Sequence, residues 1–230
     1  MSLPYHMSYA RELIPYFYDK NYTAERILYL GRRTPNLDLL YNHDTENKVT
    51  PAMMAICKAG ERSTSLPTIE KFFNTCLTII REQRSRAIHH SYYGATLLYW
   101  TIHSIHVYPE CIPILQKIAH SIIHYSITPK EFATRNIENK KTTALYWAFF
   151  LISIHNEEPS EMSPLIKKCL RGIIIRILNK CSLNKWDIST SIQPLPRTTR
   201  TTHDYRIKSV DRLCSPEILV HITKTILSSH

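Results

Sequence analysis

Apolar residues recur at helical spacing along most of the chain, in alternating shorter and longer stretches. Three shorter stretches predict helices at 51–59, 97–105 and 144–154, and the third is apolar almost all round, as expected for a helix between neighbours. Each is followed by a longer stretch with one apolar face, which predicts helices at 67–84, 109–123 and 165–181. The pattern therefore predicts three pairs of helices, each with a short first helix and a longer second one.

The apolar face of each longer helix is expected to be buried against its neighbours. These faces consist of Ile69, Phe72, Phe73, Cys76, Leu77, Ile79 and Ile80; Ile112, Leu115, Ile118, Ala119, Ile122 and Ile123; and Leu165, Ile166, Cys169, Leu170, Ile173, Ile174, Ile177 and Leu178. A helix pair with such a face cannot hide it alone, so we expect the pairs to stack.

Each short helix begins with a similar hexapeptide behind a polar turn. The hexapeptides are Thr50-Pro51-Ala52-Met53-Met54-Ala55, Thr96-Leu97-Leu98-Tyr99-Trp100-Thr101 and Thr143-Ala144-Leu145-Tyr146-Trp147-Ala148. Their threonines lie 46 and 47 residues apart. A nearly constant period in this range is typical of repeat proteins.

These hexapeptides resemble the Thr-Pro/Ala-Leu-His-x-Ala start of an ankyrin repeat, with Gly94 at the family's turn glycine. They depart from it at Ala52, which replaces the leucine, and at Thr101, which replaces the closing alanine. Met53, Tyr99 and Tyr146 stand in place of the family's histidine. The resemblance covers residues 40–182 and implies an all-α, ankyrin-like helical repeat solenoid with about three divergent long repeats and helical caps.

The chain ends differ from the repeats. We expect an N-terminal helical cap at 1–40, repeats at 41–182, and a loop with a C-terminal capping helix at 183–230. In the N-terminal cap, candidate helices lie at 8–18 and 36–41. Another begins at Asn21 or Thr23 and should stop at Gly31.

The resemblance implies protein–protein recognition through the concave face of the solenoid, without catalysis or a cofactor. The family's variable concave positions correspond here to Glu46, Asn47, Val49, Lys58, Tyr92, Tyr93, Ala95, His103, Asn139, Lys140 and Thr142. We expect Tyr92 and Tyr93 to contribute most, because tyrosine offers a large contact area at low entropic cost. The aromatic residues of the hexapeptides (Tyr99, Trp100, Tyr146 and Trp147) are expected in the core.

The net charge of +10 leaves room for an anionic partner. Basic residues with interleaved aromatics occur at 81–93, at 167–186 and at 197–212. Binding of nucleic acid or of an anionic membrane through these stretches is the first alternative, with nucleic acid disfavoured because the basic residues lie at helix ends and connections.

Catalysis and metal binding have weaker signals. Cys57, Cys111 or Cys169 is a conceivable nucleophile, but six scattered cysteines on apolar stripes favour buried thiols in a reducing compartment. Histidine pairs occur at 103/106 and 120/124 without a further ligand at metal-site spacing. An enzyme with a site near the C-terminal loop, built from His203, Asp204 and Cys214, is the second alternative.

The N-terminal residues lack the pattern of a signal peptide, and no apolar stretch is long enough to span a bilayer. We expect a soluble protein that is cytoplasmic or secreted into a host cell without a classical signal peptide. Small, Lys/Ile/Asn-rich chains with divergent ankyrin-like repeats resemble effectors of intracellular bacteria, which would make the partner a host protein. The partner's identity and the oligomeric state do not follow from the sequence.

Overall fold

The computed structural model of the chain describes residues 23–33, 50–60, 65–88, 91–92, 95–127 and 144–183. In these residues the fold is helical throughout, apart from one short pair of strands. The α-helices are α1 (Ala24–Arg33), α2 (Pro51–Ala59), α3 (Leu66–Gln83), α4 (Leu97–Val107), α5 (Ile112–Tyr125), α6 (Ala144–Glu157) and α7 (Ser163–Leu183). The expectation of an all-α chain is confirmed to this extent.

Short elements connect α3 to α4 and α4 to α5. Strands β1 (Ser91–Tyr92) and β2 (Ala95–Thr96) run antiparallel, with Ser91 opposite Thr96 and Tyr92 opposite Ala95. Turns of 3₁₀-helix follow α3 at Arg84–Ala87 and precede α5 at Pro109–Cys111. Residues 93 and 94, which join the strands, lie outside the described part of the chain.

The helices pack as three pairs, α2 with α3, α4 with α5 and α6 with α7, and their bounds agree closely with the prediction. We call α2, α4 and α6 the leading helices, and α3, α5 and α7 the trailing helices. Each leading helix contacts the next leading helix, and each trailing helix contacts the next trailing helix. The pairs therefore follow one another side by side in chain order.

Thr50 and Thr96 are the N-cap residues of α2 and α4. Each has an extended backbone, and its Oγ1 accepts a hydrogen bond from the third backbone N–H of the helix, at 3.2 Å from Met53 and 3.3 Å from Tyr99. This is the ordinary N-cap arrangement, which satisfies a backbone donor that the helix itself leaves without a partner. Thr50 Oγ1 also donates to the Ala87 carbonyl at 3.1 Å, which ties α2 to the turn that follows α3.

Matching hexapeptide positions have matching burial. The closing residues Ala55, Thr101 and Ala148 are all 0% exposed. Thr101 fits where the others have alanine because its hydroxyl donates to the Leu97 carbonyl at 2.8 Å, so no buried polar group is left without a partner. Met53, Tyr99 and Tyr146, which replace the family's histidine, are buried as well.

The predicted apolar faces form the core, with one exception. Every residue expected on the buried faces of α3 and α5 is buried, and so is every one on α7 except Leu165. Leu165 is 44% exposed, so its expected burial was wrong. The buried face of α7 follows Ile166, Leu170, Ile173 and their helical neighbours, and Leu165 lies about 100° around the helix from Ile166.

Helix α1 packs on α2 and α3. Its predicted stop at Gly31 was wrong, because the helix continues through that glycine to Arg33. A Cβ at Gly31 would lie 3.2 Å from Ile79 Cγ1 and 3.4 Å from Pro51 Cβ, so the absent side chain permits close approach of α1 to its neighbours. On the surface Arg32 pairs with Glu82 at 2.7 Å, which joins α1 to α3.

Several expectations concern residues outside the described ranges. They are the candidate helices at 8–18 and 36–41, the cap beyond α1, the third threonine at 143, and the C-terminal loop and capping helix. Among the helices that the structure describes, none is both long enough and apolar enough to cross a membrane.

Candidate functional site

A half-buried aromatic surface lies where α4 meets α6. It consists of Trp100 and His103 on α4 and of Trp147 and Phe150 on α6, and we call it the aromatic strip. Residues three apart on a helix lie on the same side, so each helix contributes two neighbouring rings. Because α4 and α6 are adjacent leading helices, the four rings lie on the same side of the helix stack.

The rings of the aromatic strip contact one another in sequence. Centroids of Trp100 and His103 are 6.0 Å apart, those of His103 and Trp147 are 6.0 Å apart, and those of Trp147 and Phe150 are 5.0 Å apart. Tyr99, buried below, approaches Trp147 at 5.7 Å. These separations are typical of favourable aromatic pairs, so the strip is a continuous and well-supported surface.

The strip includes a residue position that is equivalent in all three leading helices. Cys57, His103 and Phe150 each lie seven residues after the threonine of their hexapeptide, and all three are half-buried. Thus each leading helix leaves this position partly exposed while burying the residues around it. The exposed position is a property of the helix stack rather than of one helix.

Two polar atoms in the strip lack partners. Within the described residues neither His103 Nδ1 nor Trp147 Nε1, both buried, makes a hydrogen bond. Such groups typically cost about 1–3 kcal/mol relative to a paired state. An indole N–H is a donor without acceptor capacity, so only an acceptor oxygen or nitrogen can satisfy Trp147.

A chain of hydrogen bonds lies beside the strip. His106 Nδ1 is 3.1 Å from His155 Nε2, and His155 Nδ1 is 2.9 Å from Ser163 Oγ. Ser163 Oγ in turn accepts the Ser160 backbone N–H at 2.8 Å. These hydrogen bonds link α4, α6 and the start of α7, so they fix the relative position of three helices beside the aromatic strip.

The histidines of this region are held neutral. Burial is the main cause that lowers the pKa of His103, His106 and His155. The neighbouring charge of His106 further lowers the pKa of both other histidines. At neutral pH the aromatic strip and its support are therefore uncharged, which suits an apolar contact surface.

The structure brings few of the predicted contact residues together. His103 lies in the aromatic strip, whereas Lys58 is only 6% exposed and offers little surface. Tyr92 and Ala95 lie opposite each other on β1 and β2. The remaining positions, Glu46, Asn47, Val49, Tyr93, Asn139, Lys140 and Thr142, lie outside the described residues and stay predictions.

The expectation that all four hexapeptide aromatics are core residues was half right. Tyr99 and Tyr146 are 6% and 5% exposed, but Trp100 and Trp147 are half-buried and belong to the strip. In both hexapeptides the tryptophan directly follows the tyrosine, and adjacent helical residues point about 100° apart. That spacing was the available signal, since a helix in a stack buries some directions and exposes others.

Three of the four cysteines that the structure describes have the properties of structural thiols rather than nucleophiles. Cys76, Cys111 and Cys169 are buried free thiols, and burial raises the pKa of the last two to about 11. A thiol with so high a pKa is protonated at neutral pH and is a poor nucleophile. Among the described residues no group of three or more His, Cys, Asp or Glu side chains is arranged to hold a metal ion. His203, Asp204 and Cys214 lie outside those residues.

Comparison of the chain with known proteins finds no matching family model, no matching curated protein and no matching solved structure. Function is therefore inferred from the surface chemistry of the described helices. The chemistry available at the aromatic strip is contact through large, uncharged rings.

Proposed function

We propose that this chain is a protein–protein interaction module that binds a partner protein through its leading helices, centred on the aromatic strip. The observation that carries the proposal is the unbroken contact of four half-buried rings across α4 and α6. Contact surfaces between proteins are enriched in aromatic residues, and the residues that dominate affinity are most often Trp, Tyr and Arg.

The same proposal includes an ankyrin-like repeat solenoid as the scaffold. Three features support it: consecutive packing of the helix pairs, equivalent N-caps at Thr50 and Thr96, and matching burial of Ala55, Thr101 and Ala148. Repeat stacks in which each unit contacts only its neighbours offer an elongated surface for a partner. The strip lies on the leading helices, the side on which the resemblance expects contacts.

The partner is expected to present aliphatic or aromatic side chains together with acidic residues. The apolar side chains would cover the rings of the strip, and the acidic residues would complement the net charge of +10. The β1–β2 pair, which contains Tyr92, directly precedes α4 in the chain.

A host protein remains our prediction for the origin of the partner, through the resemblance to secreted effectors. Nothing in the helices distinguishes a host partner from another one. The surface chemistry is the same in either case, so the test below identifies the partner first and its source afterwards.

The experiment is capture of proteins from a host-cell lysate by immobilised wild-type chain and by Phe150→Glu. Phe150 is half-buried and stacks on Trp147, so glutamate places a charge on the strip at a partly solvated position. We expect the wild type to retain a specific protein and the variant to bind it roughly 30-fold more weakly, as for a residue worth about 2 kcal/mol.

Two further variants make the result specific. Ile127→Glu is the matched control, because Ile127 is 65% exposed and follows the trailing helix α5, away from the strip. It should leave capture unchanged. Tyr92→Ala/Tyr93→Ala tests the predicted turn contact separately. Equal capture by wild type and Phe150→Glu would exclude the strip as the contact surface.

A further inference from the structure

Helix α7 carries an unbalanced positive charge. Its basic residues are Lys167, Lys168, Arg171, Arg176 and Lys180, and no acidic residue occurs between Ser163 and Leu183. The neighbouring trailing helix α5 contributes Lys117 and likewise contains no acidic residue. Two adjacent helices without a single carboxylate are a concentrated source of positive potential.

The basic groups of α5 and α7 lie close together. Burial and then the charge of Arg176 lower the pKa of His120, which requires His120 and Arg176 to be neighbours across the helix contact. Further along, Lys180 Nζ donates to the His124 carbonyl at 3.4 Å. We call the outward surface formed by Lys117, His120, His124, Lys168, Arg171, Arg176 and Lys180 the basic face.

Four charges of the basic face are not neutralised within the described part of the protein. There, Lys117, Lys168, Arg171 and Arg176 form no ion pair, in contrast to Lys71 and Arg32, which pair with Glu25 and Glu82. His120 Nε2 is buried and, within the same ranges, also lacks a hydrogen-bond partner. The unpaired charges lie on exposed side chains at this helix contact, where an external anion can reach them.

The residues between these charges favour one kind of anionic partner. Leu165 is 44% exposed and Ile175 is half-buried, so the outward side of α7 alternates aliphatic and basic groups. Clusters of several basic residues on an amphipathic helix are typical of proteins that bind the headgroups of anionic lipids. Proteins that bind single-stranded nucleic acid combine basic groups with several aromatic side chains that stack on the bases, whereas α7 contains no aromatic residue and α5 contains only Tyr125.

We propose that the basic face of α5 and α7 binds the headgroups of anionic lipids at a membrane surface. The lysines and arginines contact the lipid phosphates and carboxylates, while Leu165 and Ile175 contact the upper acyl region. The aromatic strip belongs to the leading helices and the basic face to the trailing helices. Membrane binding and partner binding therefore use different sides of the helix pairs, and either proposal can fail without the other.

The test is co-sedimentation of the full chain with two kinds of vesicle, one of phosphatidylcholine alone and one that also contains phosphatidylserine. We expect binding to the second kind only, weakening as salt is added. Lys168→Glu/Arg171→Glu/Arg176→Glu should bind at least about 100-fold more weakly, since each basic residue near such a surface contributes a factor of roughly five. The neutral variant Lys168→Gln/Arg171→Gln/Arg176→Gln should lose a similar amount of vesicle binding, because it removes the same contacts. It also controls for misfolding caused by charge reversal.

The matched control is Arg81→Glu/Arg84→Glu/Arg86→Glu, which changes the net charge equally at exposed positions at the end of α3 and in the turn after it. It should retain most vesicle binding. Equal loss in both triple variants would overturn the proposal, because attraction would then depend on net charge alone. Retained binding by the α7 variants would overturn it as well, and so would binding of duplex or single-stranded DNA without binding of anionic vesicles.

Discussion

His106 and His155 make a direct hydrogen bond between ring nitrogens, with 3.1 Å from Nδ1 to Nε2, and join α4 to α6. One ring must donate and the other accept, because each neutral imidazole has one N–H and one free ring nitrogen. The bond therefore requires at least one of the two histidines to be neutral, and protonation of both would replace it with a repulsion. His155 is also hydrogen-bonded to Ser163 on its other side, so its ring cannot easily turn away.

This pair predicts that the protein is less stable in mild acid. Burial lowers the pKa of His103, His106, His120 and His155 below the ordinary value of 6.5. As the pH falls through about 6.5, the unfolded chain binds protons that the folded chain does not yet bind, so the free energy of unfolding decreases. Thermal unfolding followed by circular dichroism should give a Tm that falls steadily from about pH 7.5 to about pH 5.5.

The contribution of the pair is measured with His106→Gln/His155→Gln. Glutamine can still hydrogen-bond but does not titrate, so the slope of Tm against pH should become smaller. Ile127→Gln is the control, since Ile127 is exposed after α5 and has no titratable group, so the slope should be unchanged. A Tm that rises on acidification, or a slope unaffected by the double substitution, would contradict the role given to these histidines.

The two capping threonines should differ in their contribution to stability. Thr50→Ala and Thr96→Ala each remove an N-cap, which costs about 1 kcal/mol. Thr50→Ala additionally leaves the buried Ala87 carbonyl without its donor, for a total of about 2 kcal/mol. Urea unfolding should therefore give roughly twice the loss for Thr50→Ala, and Thr50→Ser should restore most of it. Equal losses at the two positions would mean that the Ala87 bond contributes nothing.

The helix pairs followed from the sequence because their signals are local. The helix starts at Thr50-Pro51 and Thr96, and the apolar spacing along the long helices, can be recognised without knowledge of neighbouring elements. The two errors, Gly31 and Leu165, arise where tertiary packing decides. The prediction ended α1 at Gly31 because glycine is common just after the last residue of a helix. In the structure Gly31 lies inside α1, where its missing side chain permits the close approach to Ile79.

The candidate site was harder to predict than the core. Whether Trp100 and Trp147 are buried or half-exposed depends on which directions of each leading helix its neighbours cover, and this is not encoded locally. The contact between His106 and His155 joins residues 49 apart in the chain. Apolar spacing identifies the helices that carry these rings, but it does not show which rings meet.

Two glycines offer a matched test of helix packing. At Gly31 an added Cβ would press on Ile79, which is fully buried and cannot readily move, whereas at Gly172 nothing lies within 4 Å. Alanine improves helix propensity by about 1 kcal/mol at either site. Overpacking at Gly31 should outweigh that gain and leave Gly31→Ala about 1 kcal/mol less stable.

Gly172→Ala should instead raise the free energy of unfolding by about 0.5–1 kcal/mol. Both values come from the same denaturation series, which removes differences in conditions. Stabilisation by both substitutions would show that α1 can move away from α3 without cost. In that case close approach would not be the reason for glycine at position 31.

The reactivity of the thiols should differ between Cys57 and the buried cysteines. Burial raises the pKa of Cys111 and Cys169 to about 11 and that of Cys76 well above its usual range. At about pH 8 a thiol with a pKa near 11 is ionised to only about 0.1%, and the thiolate is the reactive form.

Cys57 is half-buried at the position that corresponds to His103 and Phe150. Peptide mass spectrometry during alkylation of the native protein should therefore find Cys57 modified before these three. Equally fast modification of Cys111 or Cys169 would mean that α5 and α7 open readily, which their fully buried apolar neighbours Leu115 and Leu170 argue against.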